Sequence, residues 1–151
     1  MTVDVLTEIV IARPQSEVAA YACDPDRAPE WYVNIASIEW RTSPPAELGS
    51  RVAFVAHFLG RRLAYTYEIV ELVPDAKLVM RTAEGPFPME TTYTFEPGGD
   101  GLTRMTLRNR GEPRGFSKLV APLMAGAMRR ANEKDLRRLK AILEATPTDR
   151  S

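Results

Sequence analysis

Apolar and polar residues alternate with a period of two along much of this chain. In residues 89–96, Met89, Thr91, Tyr93 and Phe95 fall on one side, and Glu90, Thr92, Thr94 and Glu96 on the other. In residues 104–110, Met105, Leu107 and Asn109 oppose Arg104, Thr106, Arg108 and Arg110. Such alternation sets one face of a strand against a core and the other in water. The same parity turns Leu78 and Met80 inward and Lys77 and Arg81 outward. Between residues 50 and 72 both faces carry apolar side chains; the inward set there is Val52, Phe54 and Phe58 with Tyr65, Tyr67 and Ile69.

The rest of the pattern orders these strands. Residues 3–12 are a β-branched strand, and Pro14 suits the first turn of a short helix through Tyr21. Asp24-Pro25 reads as the N-cap and first residue of a second short helix, which ends at "APEWY". Six strands follow, over 35–42, 50–59, 61–72, 77–82, 89–96 and 102–110, joined by short turns that imply an antiparallel meander. From about residue 116 to 145 the period becomes helical. Met124, Ala125, Met128, Ala131, Leu136, Leu139, Ile142 and Leu143 form one stripe, and Arg129, Arg130, Lys134, Arg137 and Lys140 lie off it. The expected architecture is α+β: a curved antiparallel sheet of about seven strands wrapped around one long C-terminal helix, with two short helices after the first strand.

Two polar residues, Asn132 and Asp135, fall on or at the edge of the helix stripe. A buried carboxylate without a partner is costly, so each must meet water, a hydrogen-bonding group or a ligand. Asp135 paired with a nearby Arg, and Asn132 tying down a strand, would satisfy this without a ligand. In a meander, turns alternate between the two ends of the sheet. The Gly60 turn, the "EGPFP" loop, the "GEPRGF" exit and the chain just after Trp31-Tyr32 therefore share one end. That end carries Trp31, Tyr32, Phe87 and Phe116 among Gly and Pro, whereas the turns "SPPAELG", "VPDA" and "EPGGDG" at the other end have no aromatic residue. We expect Trp31, Tyr32, Phe87 and Phe116 to stand at the entrance of an internal cavity.

The inward positions mix Met, Thr and Tyr, as in clefts that take small apolar ligands. Ligand-binding candidates are Phe54, Tyr65, Tyr67 and Met80 on the middle strands, and Met89, Thr91, Tyr93 and Asn109 on the last two. Met124, Met128 and Asn132 on the helix join them, as does Trp40. An ordinary core, with Tyr hydroxyls reaching solvent or backbone, is the competing reading.

Composition narrows the partners. The 151 residues fit one domain, placed at 1–146, with 147–151 as a loose tail. Twenty Lys+Arg balance twenty Asp+Glu, which points to neither nucleic acid nor membrane insertion. The balance is uneven along the chain: 8 basic against 15 acidic residues in 1–100, and 12 against 5 in 101–151. A sheet and helix with oppositely charged outer faces accounts for that split. Cys23 is the single cysteine, so no intrachain disulfide forms and a Cys-based metal site is excluded. No stretch approaches the ~20 apolar residues of a membrane span, and the N-terminus has no signal-peptide pattern. The expectation is a cytoplasmic protein with no metal and no cofactor. An open strand edge leaves room for a homodimer.

"VIARPQSEVAAYACDPDRAPEW", "FLGRRLAYTYEIVELVPDAKLVMRT" and the helix ending "DLRRLKAILE" together resemble the START-like (SRPBCC) superfamily, which includes polyketide cyclase/dehydrase-like helix-grip proteins. The resemblance covers residues 2–145. It implies a deep cavity for lipids, sterols, polyketides or other hydrophobic molecules, but not a reaction. His57 is the only histidine and an obvious general base, yet its parity turns it away from Phe54, and only a bulge would reverse that. No G-x-S-x-G elbow or Gly-rich phosphate loop is present. The remaining polar candidates are Tyr65, Tyr67, Tyr93, Asn109, Asn132 and Asp135. Of these, Asp135 would serve as a desolvated base, with Tyr such as Tyr93 or an Asn polarising a carbonyl. Three readings follow: a carrier or sensor of a hydrophobic molecule, a cyclase or dehydratase in the same cavity, and an interaction module using Arg104, Arg108, Arg110, Arg130 and Arg137. The first is preferred.

Overall fold

The computed structural model describes residues 3–58, 60–85, 88–112 and 121–145. Phe87, Phe116 and the 147–151 tail lie outside the described residues, as does the side chain of Phe58. The elements are β1 (Val3–Ile11), α1 (Gln15–Ala22), a 3₁₀ turn (Pro25–Arg27), α2 (Ala28–Trp31), β2 (Ile35–Trp40), β3 (Arg51–Phe58), β4 (Arg61–Val73), β5 (Lys77–Glu84), β6 (Met89–Gly99), β7 (Leu102–Gly111) and α3 (Ala121–Ala145).

Asp24-Pro25 does not open one continuous helix. The Asp24 carboxylate accepts the Asp26 N–H at 3.0 Å and starts the 3₁₀ turn, and α2 follows as a separate element of four residues. A side chain bonded two residues ahead tightens the backbone into a turn at the expense of a full α-helical start.

All seven strands join one antiparallel sheet in the order β1-β7-β6-β5-β4-β3-β2. The meander from β2 to β7 keeps chain neighbours adjacent, and β1 adds on beside β7, pairing Val3 with Gly111 and Ile11 with Thr103. Register slips at Thr66/Tyr67 and Ile69/Glu71 in β4, and at Ile35/Ser37 in β2, mark bulges that bend the sheet. β3 pairs with β4 without a slip from Arg51 to Phe58, so His57 keeps its outward parity and is exposed. The result is a helix-grip fold, the sheet curling around α3.

The helix is divided along its length. Leu136, Leu139 and Leu143 in its C-terminal half enter a dry core with Ile11, Val18, Trp31, Phe95, Met105 and Leu107. Met124 and Met128 in its N-terminal half meet Val3, Val5, Leu63 and Tyr65 instead. Its basic side chains lie over the open edge of β1: the Lys140 ammonium donates to the Val10 carbonyl at 2.7 Å, and Arg129 to the Leu6 carbonyl at 3.2 Å. Edge carbonyls engaged in this way are unavailable to another strand. On the outer sheet face Arg104, Arg108 and Arg110 pair with Glu96, Asp4 and Glu90. The solvated-face account of these three arginines follows directly. Among the described residues no helix is long and apolar enough to cross a membrane.

Candidate functional site

Between the N-terminal half of α3 and the concave face of the sheet lies a cavity of about 150 Å³. It occupies the half of the sheet nearer the β3–β4 and β5–β6 turns. The period-two strands supply most of its wall: Phe54 from β3, Tyr65 and Tyr67 from β4, Met80 from β5, Met89, Thr91 and Tyr93 from β6, and Asn109 from β7. Helix α3 adds Met124, Met128, Asn132 and Asp135, and Tyr32 arrives from the end of α2. The structure thus brings twelve of the sixteen ligand-binding candidates, together with Asp135, around one space.

Trp31 is a correction. Expected at the entrance, it is fully buried in the dry core, its ring stacked on Tyr32 at 3.9 Å between centroids and edge-on to Tyr93 at 5.8 Å. It backs the cavity wall and does not line it. Two successive residues at a helix end point in different directions, so one plugs the core while the other lines the space. Trp40 also stands elsewhere. Its indole N–H donates to the Asp26 carboxylate at 2.8 Å, and it borders a separate depression of about 390 Å³ with Cys23, Pro44 and Pro45. Of the two, the cavity under α3 has the more apolar wall and holds the buried polar groups, as small-molecule sites do. His57, on the outward face of β3, is not part of the wall.

Asn34, Ile35, Ala56, Leu63 and Ala131 also line the cavity. Ala56 and Leu63 share the parity of Phe54 and Tyr65 and lie within the expected strands, so carrying the inward set one step further along each would have found them. Ala131 belongs to the helix stripe. Asn34 and Ile35 sit where a loop becomes a strand, and no periodicity marks them.

Hydrogen bonds tie up most of these polar groups, and the amide of Asn132 stands apart. The Tyr32 and Tyr93 hydroxyls hydrogen-bond to one another. Burial pushes both phenols well above their ordinary range. The Thr91 hydroxyl donates to the Asn109 carbonyl oxygen at 2.8 Å. Burial raises the Tyr67 phenol to about 12 and also raises Tyr65.

Asp135 is 3% exposed, and its Oδ1 accepts the Val33 N–H at 2.9 Å. Burial raises its pKa to about 6, against the opposing pull of the Val33 amide, Lys134 and Arg138. The expected Arg partner is absent among the described residues, Arg138 being turned to the Glu30 carbonyl at 2.5 Å. Nor does Asn132 tie down a strand. Its buried Nδ2 has no partner among the described residues. A neutral fraction of Asp135 at mildly acidic pH could give up a proton, and its ionised form could take one, at the cavity wall. Among the described residues no group of three or more His, Cys, Asp or Glu is placed to hold a metal ion.

A family model described as polyketide cyclase / dehydrase and lipid transport matches residues 2–144. Among solved structures, the protein TTHA0849 from Thermus thermophilus superposes with a TM-score of 0.83 at 24% identity, over 95% of this chain and 99% of that one. A START superfamily protein from Mycobacterium smegmatis gives 0.80 at 13% identity, over 93% and 97%. The Zhui aromatase/cyclase from Streptomyces sp. R1128 gives 0.79 at 15% identity, over 95% and 94%. At these identities the likeness concerns the fold. No curated protein matches the chain.

Proposed function

Because the chain belongs to the polyketide cyclase/dehydrase and lipid-transport family, we propose that it binds a hydrophobic small molecule of lipid, polyketide or aromatic type in the cavity between sheet and α3. The observation that carries this reading is the character of the wall. Adaptable Met80, Met89, Met124 and Met128 alternate with Tyr and Thr around a space that the fold leaves unfilled. A chain selected for packing alone would close such a space with Leu or Ile, since voids cost stability. The test is native mass spectrometry of freshly purified protein followed by denaturing extraction. A stoichiometric adduct is the expected result. No adduct, with no thermal shift from a panel of lipids, sterols and polyaromatics, would sink the reading.

Asp135 favours a second reading, a cyclase or dehydratase acting in the same cavity. A carboxylate with a pKa of about 6 is suited to proton abstraction near neutral pH, and the Tyr32–Tyr93 pair offers an O–H to a developing enolate oxygen. Asp135→Asn then abolishes turnover while keeping affinity. Unchanged turnover in that variant would remove Asp135 from the reaction.

A further inference from the structure

The cavity wall holds hydrogen-bond donors that nothing in the described structure engages. The Tyr32–Tyr93 pair holds two hydroxyl hydrogens but only one shared hydrogen bond, so one O–H remains to be donated. Asn132 has both N–H bonds of its Nδ2 unspent, in a residue only 5% exposed that lines the cavity. A buried donor left without an acceptor loses its hydration and regains nothing, so such groups are rare unless something else supplies the acceptor. The neighbouring Asp135 carboxylate accepts the Val33 N–H through Oδ1, and no hydrogen bond joins it to the Asn132 amide among the described residues. Rotation about the last side-chain bond exchanges the two ends of the amide, and that torsion is soft, so the NH₂ can be turned to an occupant.

We propose that Asn132 is the polar anchor of the cavity, its amide N–H reserved for an acceptor oxygen, so that the site takes a carbonyl-bearing apolar molecule in preference to the matching hydrocarbon. The proposal rests on the reading that the cavity is a ligand site. It adds what that site selects: an apolar body for the Met-rich wall and an oxygen directed at the middle of α3.

Acetophenone and ethylbenzene test it, because they share ring size and outline and differ by the carbonyl. A space of about 150 Å³ suits one ring. Dissociation constants for both are measured by NMR titration of the full chain, wild type and Asn132→Leu. The wild type is expected to bind acetophenone about tenfold more tightly than ethylbenzene, and Asn132→Leu to level the two by losing acetophenone affinity while holding ethylbenzene. The carbonyl stretch of bound acetophenone should lie at lower frequency in the wild type than in the variant, a readout that a purely structural role would not move. Asn132→Ala removes the same donor and serves if the Leu variant does not fold. A preference that survives both substitutions, or no preference in the wild type, overturns the anchor and leaves the cavity reading intact. Failure of both compounds to bind the wild type overturns both.

Discussion

At the scale of single residues, Asp135 joins chemistry to stability. Its carboxyl titrates near 6 in the folded chain, against an ordinary value of 3.8, so between those limits the native state holds more protons than the unfolded one. Stability therefore falls as pH rises from about 4 through about 6 and then levels off, by at most about 3 kcal/mol. Asp135→Asn keeps an oxygen for the Val33 amide and removes the titration. Urea denaturation at pH 4.5 and 7.5 should show the wild type losing ground to the variant at the higher pH; parallel curves would mean that Asp135 is not desolvated. The two tryptophans make a second contrast. Trp31→Ala opens a hole in the dry core and is expected to cost about 3–5 kcal/mol. Trp40→Ala removes a half-buried ring and one hydrogen bond to Asp26, and should cost clearly less in the same denaturant experiment.

At the scale of elements, the β5–β6 corner ties backbone shape to the cavity. Gly85 has φ +157°, and a Cβ there would lie 2.5 Å from Cδ1 of Tyr65, whose ring is part of the cavity wall. Gly85→Ala must therefore displace the Tyr65 ring, at a cost of about 1–3 kcal/mol. Weaker binding of an aromatic probe and a lower denaturation midpoint are expected together. A midpoint unchanged from wild type would show that the corner yields freely. The strands themselves were legible in the sequence, because each alternation in β6 and β7 reports a face directly, and the helix stripe was legible because its period of 3.6 runs over about seven turns. What periodicity cannot report is depth. Trp31 and Tyr32 sit at the end of a four-residue helix, too short to carry a period. Trp31 joins Ile11, Val18 and Phe95 in the core and Tyr32 meets the Tyr93 hydroxyl 61 residues further on, contacts that no local period reports. The fate of Asn132 was equally hidden: an amide on an apolar stripe signals an exception without naming its partner.

At the scale of the whole molecule, the divided helix has a mechanical consequence. A space of about 150 Å³ holds roughly one ring, so a bulkier guest must be given room by moving something. The C-terminal half of α3 is wedged by Leu136, Leu139 and Leu143 and bonded at its end to the β1–α1 corner through Glu144 and the Ala12 amide. The N-terminal half presents Met124, Ala125, Met128 and Ala131, side chains that are small or readily bent. The N-terminal arm is held more lightly, by its Met contacts and the exposed Arg129–Leu6 bond, so we expect the helix to tilt about the Asp135–Val33 bond, and the work of that tilt to set how large a guest is tolerated. Hydrogen–deuterium exchange should register that arm directly: amides of residues 121–131 exchanging sooner than those of 136–145, and slowing when the space is filled, while the clamped half exchanges as before. Uniform exchange along the helix would mean a rigid rod, and a guest list limited to single rings.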